Sequence, residues 1–156
     1  MRLIQILGVI FLIGLIALFL HVIPIYQSHN RAAEEVLNCI SNEPLPANTI
    51  VMGKDWEVGA YEGASNLCEA AAFIVVKSEE PKERVFEFYK SRFPAMGKKV
   101  DSDFHIASLD DLPSLTNIPG NISRMATSMT PTERKITYVI WGIRAVDELG
   151  WDIRSW

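Results

Sequence analysis

The residues best suited to chemistry stand in one run, Asp101-Ser102-Asp103-Phe104-His105-Ile106-Ala107-Ser108. On a strand alternate side chains share a face, so Asp101, Asp103 and His105 would point the same way. A histidine oriented by a carboxylate is half of a general-base arrangement. The other half is not legible. Nothing marks Ser108 or another hydroxyl as a nucleophile, and no oxyanion-hole motif accompanies the run. The plainer reading is a solvated strand face beside a turn. No catalytic residue is therefore assigned and the chain is expected not to be an enzyme, with a hydrolase built on Asp103 and His105 kept as an alternative.

Other chemistries have even less to work with. Outside the first apolar segment the only histidines are His29 and His105, and no paired His or Cys spacing appears, so no metal site is expected. Asp101, Asp103, Asp110 and Asp111 lack the carboxylate-and-glycine register of an EF-hand loop and read as solvated charge. No glycine-rich phosphate loop is present, and no cofactor is expected. Asn121-Ile122-Ser123 matches a glycosylation acceptor, which has meaning only in a eukaryotic secretory setting.

Two cysteines remain, Cys39 and Cys68. In a domain that has crossed a membrane such a pair is readily oxidised. Closing a loop of roughly 30 residues would stabilise by about 3–4 kcal/mol in the chain-entropy model. A Cys39–Cys68 disulfide is the expectation. Two buried free thiols in a cytoplasmic domain are the alternative. Neither cysteine lies in a Cys-x-x-Cys motif, so redox catalysis is not indicated.

What must hold these residues begins with residues 3–23, a run without formal charge whose polar side chains, Gln5 and His21, sit near its ends. About 20 apolar residues at roughly 1.5 Å each span the hydrocarbon core of a bilayer. A buried core helix is seldom apolar on every face at this length. A cleaved signal needs a shorter run ending in small residues, whereas this one ends Val22-Ile23-Pro24-Ile25-Tyr26. Nor does Val36-Leu37-Asn38 before Cys39 look like a lipid-attachment box. The reading is an uncleaved anchor meeting the lipid bilayer through residues 3–23. Arg2 and the amino terminus flank one side. Arg31, followed by Glu34 and Glu35, flanks the other. The balance leans towards a cytoplasmic N-terminus and a domain outside the cytoplasm, in periplasm or at the cell exterior.

The whole chain has a formal charge of −4. Setting the anchor aside removes only Arg2, which leaves 14 basic against 19 acidic residues, net −5. A nucleic-acid partner would want a basic face, so none is expected. A polybasic grip on anionic lipid is excluded for the same reason.

Beyond the anchor, residues 25–41 read as a stalk helix, with Ala32, Ala33, Val36, Leu37 and Ile40 on one side. Pro24 marks a kink or an end between the two helices. Pro44 and Pro46 enforce a loop. Residues 49–52 and 56–61 read as strand segments broken by Gly53-Lys54-Asp55 as a hairpin turn or a bulge. A turn follows at 62–66, then a buried strand at 68–77 with the run Ala-Ala-Ala-Phe-Ile-Val-Val. Ser78-Glu79-Glu80-Pro81 opens a helix running to about Phe93, which Pro94 and Gly97 then stop. A strand at 104–107 follows. Residues 108–132 form a long irregular excursion, with a short helix at 122–129. Residues 135–146 are the strongest strand and belong at the centre of a sheet. A turn at 147–150 and a short edge strand at 151–153 finish the chain.

The first third also resembles type IV pilins and the pseudopilins of secretion systems. The residues concerned are Leu3-Ile4, Gly14, Ala17 and Pro24-Ile25-Tyr26-Gln27. That resemblance implies an apolar helix running through a proline into an amphipathic stalk beneath an antiparallel sheet, in an assembly subunit. Three features depart from the family pattern. Gln5 stands where the family usually has a glutamate, no leader with a Gly cleavage site is read ahead of the helix, and the cysteines do not bracket a C-terminal loop.

The expected architecture is α+β. Residues 1–24 are a transmembrane anchor, 25–41 a stalk helix, and 42–156 a domain with one amphipathic helix packed on a mainly antiparallel sheet. The expected role is non-enzymatic: a tethered module that binds another membrane or envelope protein. The pilin-like or pseudopilin-like subunit is an alternative. Ile122, Met125, Met129 and Trp156 are the candidate partner surface. The first three share a helical face, and the fourth sits at a chain end.

Overall fold

Forty residues, Arg2–Ser41, form a single helix, α1. At 1.5 Å per residue it is about 60 Å long. The computed structural model describes residues 2–59, 68–112 and 120–146. Pro24 lies inside α1 and does not divide it, so the two segments expected as anchor and stalk are one continuous helix. The two halves differ in composition and in their surroundings. In the first, large apolar side chains such as Phe11 and Leu20 stay exposed. In the second, Ala32, Ala33, Val36, Cys39 and Ile40 are buried while Glu34, Glu35 and Asn38 face outwards.

The buried stripe of α1 lies on a four-stranded sheet of β1 (Thr49–Gly59), β2 (Glu69–Ser78), β3 (Asp103–Ser108) and β4 (Thr137–Ala145). Spatial order is β1-β2-β4-β3 and every neighbouring pair is antiparallel. The continuous apolar run of β2 has a direct cause: this strand is central and buried on both faces. Residues 53–55 do not form a turn. The register passes from Val51↔Val76 to Gly53↔Val75, so Met52 is an extra residue in one long strand.

Three helical pieces cover one face: the stalk half of α1, α2 (Lys82–Lys90) and α3 (Phe93–Val100). Val36, Ile40, Ile74, Val85, Tyr89 and Phe104 are among the side chains they enclose. The sequence predicts a single amphipathic helix here, and the residues expected to stop it instead build a second one. Pro94 sits in the first turn of α3, where a missing N–H does little harm. Gly97 passes so close to Ser102 that a Cβ there would fall 2.7 Å from its carbonyl oxygen. Asp101 then ends the helix in the left-handed region at φ 51°.

The opposite face is covered by α4 (Gly120–Ser128), whose Ile122 and Ala126 join Ala71, Phe73, Val75, Leu109 and Val139. A further turn of helix, α5 (Pro131–Lys135), leads into β4. Its start is a capping box, in which the Thr130 hydroxyl accepts from the Glu133 N–H while the Glu133 carboxylate accepts from the Thr130 N–H. The α+β reading therefore stands, with helices on both faces rather than one. The expected turns at 62–66 and 147–150 and the edge strand at 151–153 lie outside the described residues.

Candidate functional site

β3 brings Asp103 and His105 to the same face but not into contact. His105 pairs across the sheet with Trp141, and the rings stack with centroids 5.3 Å apart at 24°. The imidazole Nε2 is buried without a hydrogen-bond partner among the described residues. Asp103 is exposed beside Ile143 and accepts no bond from His105. Ser108 is buried and its hydroxyl accepts from the Asp110 N–H at 3.4 Å, which fixes a turn. Base, carboxylate and hydroxyl are thus near in sequence but not connected. Among the described residues no cluster of three or more His, Cys, Asp or Glu side chains stands ready to hold a metal ion.

The cysteines are a correction to the expected disulfide, since both are buried thiols with no S–S bond between them. Cys39 faces α3, with its Sγ 4.0 Å from the Met96 carbonyl oxygen. Cys68 sits at the other end of the stalk, with its Sγ 3.8 Å from Nδ1 of His29. Ten helical residues separate His29 from Cys39, about 15 Å along the axis. A disulfide needs Cα atoms within roughly 7 Å. The two thiols belong to separate packed clusters. Burial also pushes the Cys39 thiol above its ordinary pKa. Lys99 pulls the other way and Glu43 adds to the rise. A protonated buried thiol is a packing group and a poor nucleophile.

Of the candidate partner surface, three residues lie on α4 or just after it. Ile122 is buried against the sheet, and Met125 and Met129 are half-buried beside it. The stripe is turned inwards because β2 and β4 present Ala71, Phe73, Val75 and Val139 on that face, and these need cover. Trp156 lies outside the described residues.

Exposed apolar side chains occur in two other places. One is the first half of α1. The second is a patch of Leu45, Ile50, Val51 and Met52, which are the only large apolar side chains beyond α1 that are exposed among the described residues. The patch borders a groove of about 310 Å³ between the end of α1 and the first half of β1. Its floor is Ile40 and Ile74, and Lys54 stands at its rim. The sequence offers part of this signal, because Ile50-Val51-Met52 is apolar without alternation. That the strand is an edge depends on the distant order β1-β2-β4-β3, which no local pattern encodes.

A wider cleft of about 740 Å³ lies between α3 and the β3–β4 edge. Phe93 and Phe104, stacked at 6.0 Å, line it together with Lys90, Lys98, Asp101 and Asp103. It offers charges of both signs around aromatic surface, without a paired base and nucleophile. The chain matches no protein-family model, no curated protein and no solved structure.

Proposed function

We propose that this chain is a single-pass, membrane-anchored module that performs no chemistry and binds another membrane or envelope protein, with its domain outside the cytoplasm. The observation that carries the reading is the division of α1. One uninterrupted helix leaves its first half bare and apolar and locks its second half into a folded sheet. In water the bare half would be an aggregation liability, whereas in lipid it is an anchor. The separation of Asp103, His105 and Ser108 supports a binding role over a hydrolytic one.

Fractionation of native cells tests the anchor. The full chain should stay with membranes after an alkaline carbonate wash and enter solution only with detergent. Recovery from the aqueous fraction without detergent would sink it. Protease added to cells stripped of any outer membrane or wall should remove the domain if the N-terminus is cytoplasmic. Crosslinking in membranes that yields no protein adduct would count against the binding role.

One observation favours a second reading, the pilin-like assembly subunit. Pro24 sits within a continuous helix whose second half lies beneath an antiparallel sheet, which is the arrangement that resemblance implies. Filaments in the electron microscope, or a processed N-terminus by mass spectrometry, would promote this reading over the first.

A further inference from the structure

β1 is an edge strand of 11 residues among the described residues, and the bulge at Met52 is the one edge-protecting device in its first half. Residues 49–53 contain no charge and no proline, and the nearest charge is Lys54. Ile50 and Val51 remain 59 % and 47 % exposed, beside the groove already described. Among the described residues no strand pairs with the outer edge of β1, and an unpaired edge next to an apolar groove is a template for strand addition. Three kinds of occupant are conceivable, and the geometry separates them.

Lipid is too far away. The groove lies at the level of Ile40, and 17 helical residues separate Ile40 from the end of the apolar run at Ile23, about 25 Å. A second copy meets a directional obstacle. Ala32 and Ala33 pack near Val58, Cys68 and Ala70, while Ile40 lies near Val51 and Ile74, so α1 runs antiparallel to β1. Antiparallel pairing of two β1 edges would reverse the second copy and send the two apolar half-helices in opposite directions. Two chains anchored in one bilayer do not meet in that way.

Charge supplies the third element. Lys54 is exposed at the groove's rim and enters no ion pair or hydrogen bond among the described residues. Its neighbour Asp55 is engaged by the backbone, accepting from the Trp56 N–H at 2.9 Å. We propose that the groove beside the outer edge of β1 takes an extended apolar segment of another protein, added as a fifth strand with a carboxylate opposite Lys54. This rests on the reading of the chain as a binding module and names where that module binds.

The test uses the full chain in detergent micelles and two capped nine-residue peptides of alternating Val and Thr, one with a central Glu and one with a central Lys. The Glu peptide should bind about fivefold more tightly than the Lys peptide, the scale of one exposed ion pair. Lys54→Glu should reverse that order. Val51→Lys should weaken the Glu peptide by about tenfold or more, because a charge then sits in the apolar groove. Both positions are exposed, and an unchanged melting temperature would show that the fold is kept. Absent binding, or equal binding of both peptides in every variant, overturns the proposal.

A photo-crosslinker at Val51 in native membranes, with Glu87 on α2 as control, separates this proposal from the reading beneath it. An adduct at Val51 that the Glu peptide competes away supports both. Adducts at Glu87 alone overturn the groove and leave a binding module with another surface. Adducts at neither position overturn both, and a self-adduct at Val51 hands the edge to a second copy.

Discussion

Tyr89 is fully buried among α1, α2 and the sheet, and its hydroxyl finds no hydrogen-bond partner among the described residues. Burial pushes its pKa up to about 12, against a smaller opposing pull from Arg92. The unfolded chain releases this proton near pH 10 and the folded chain near 12. Between those values the unfolded state binds fewer protons, so stability is complete below pH 10 and falls as pH rises through the window. Tyr89→Phe removes the unsatisfied hydroxyl and keeps the ring. It should leave the fold intact or stabilise it by about 1 kcal/mol, and it should flatten the alkaline limb of a melting curve taken against pH. The thiols give a second prediction at this scale. Cys39 and Cys68 should react with a thiol reagent only after denaturation, and the chain should run alike on reducing and non-reducing gels. A mobility difference within one chain would restore the disulfide.

Among the elements, β4 carries the tightest contact. Gly142 lies where the stalk and β3 press on the sheet, and a Cβ there would fall 2.4 Å from the Phe104 ring and 2.7 Å from Val36. Gly142→Ala should cost about 1–3 kcal/mol by overpacking, read as a lower midpoint in urea unfolding. Val36→Asp probes the same junction from the helix side. A carboxylate placed there without a partner should cost about 3 kcal/mol or more and expose the stalk to limited proteolysis.

The central elements were legible because their patterns are local. Ala70 to Val76 form one apolar run, and Ala32, Ala33, Val36 and Ile40 repeat at helical spacing. Pro94 and Gly97 misled because the same residues can end one helix or sit harmlessly inside the next. That Ile122 is buried and Met125 and Met129 half-buried is not legible locally, because the sheet face beside them is assembled from strands far away in sequence. The expectation of a Cys39–Cys68 bridge rests on an oxidising compartment, but the level at which each thiol packs against α1 and its neighbours decides the matter, and that is a three-dimensional fact. The groove beside β1 is half legible in the apolar run Ile50-Val51-Met52, and the rest depends on the strand order and on where α1 ends.

For the whole molecule, the decisive question is whether the bare half of α1 and the folded half separate in solution behaviour. A chain starting at residue 25 keeps every buried stalk residue of the three clusters and should stay in the aqueous phase of a detergent partition, whereas the full chain enters the detergent phase. Equal partition of the two would refute the anchor. The missing break at Pro24 has a mechanical result. A rod without a hinge transmits angle. If the lower half leans by roughly 20° to match its surroundings, a point ~25 Å above sweeps sideways by about 9 Å. If the bare half is the membrane anchor proposed above, membrane thickness would set the direction in which the sheet faces, with no rearrangement inside the sheet itself.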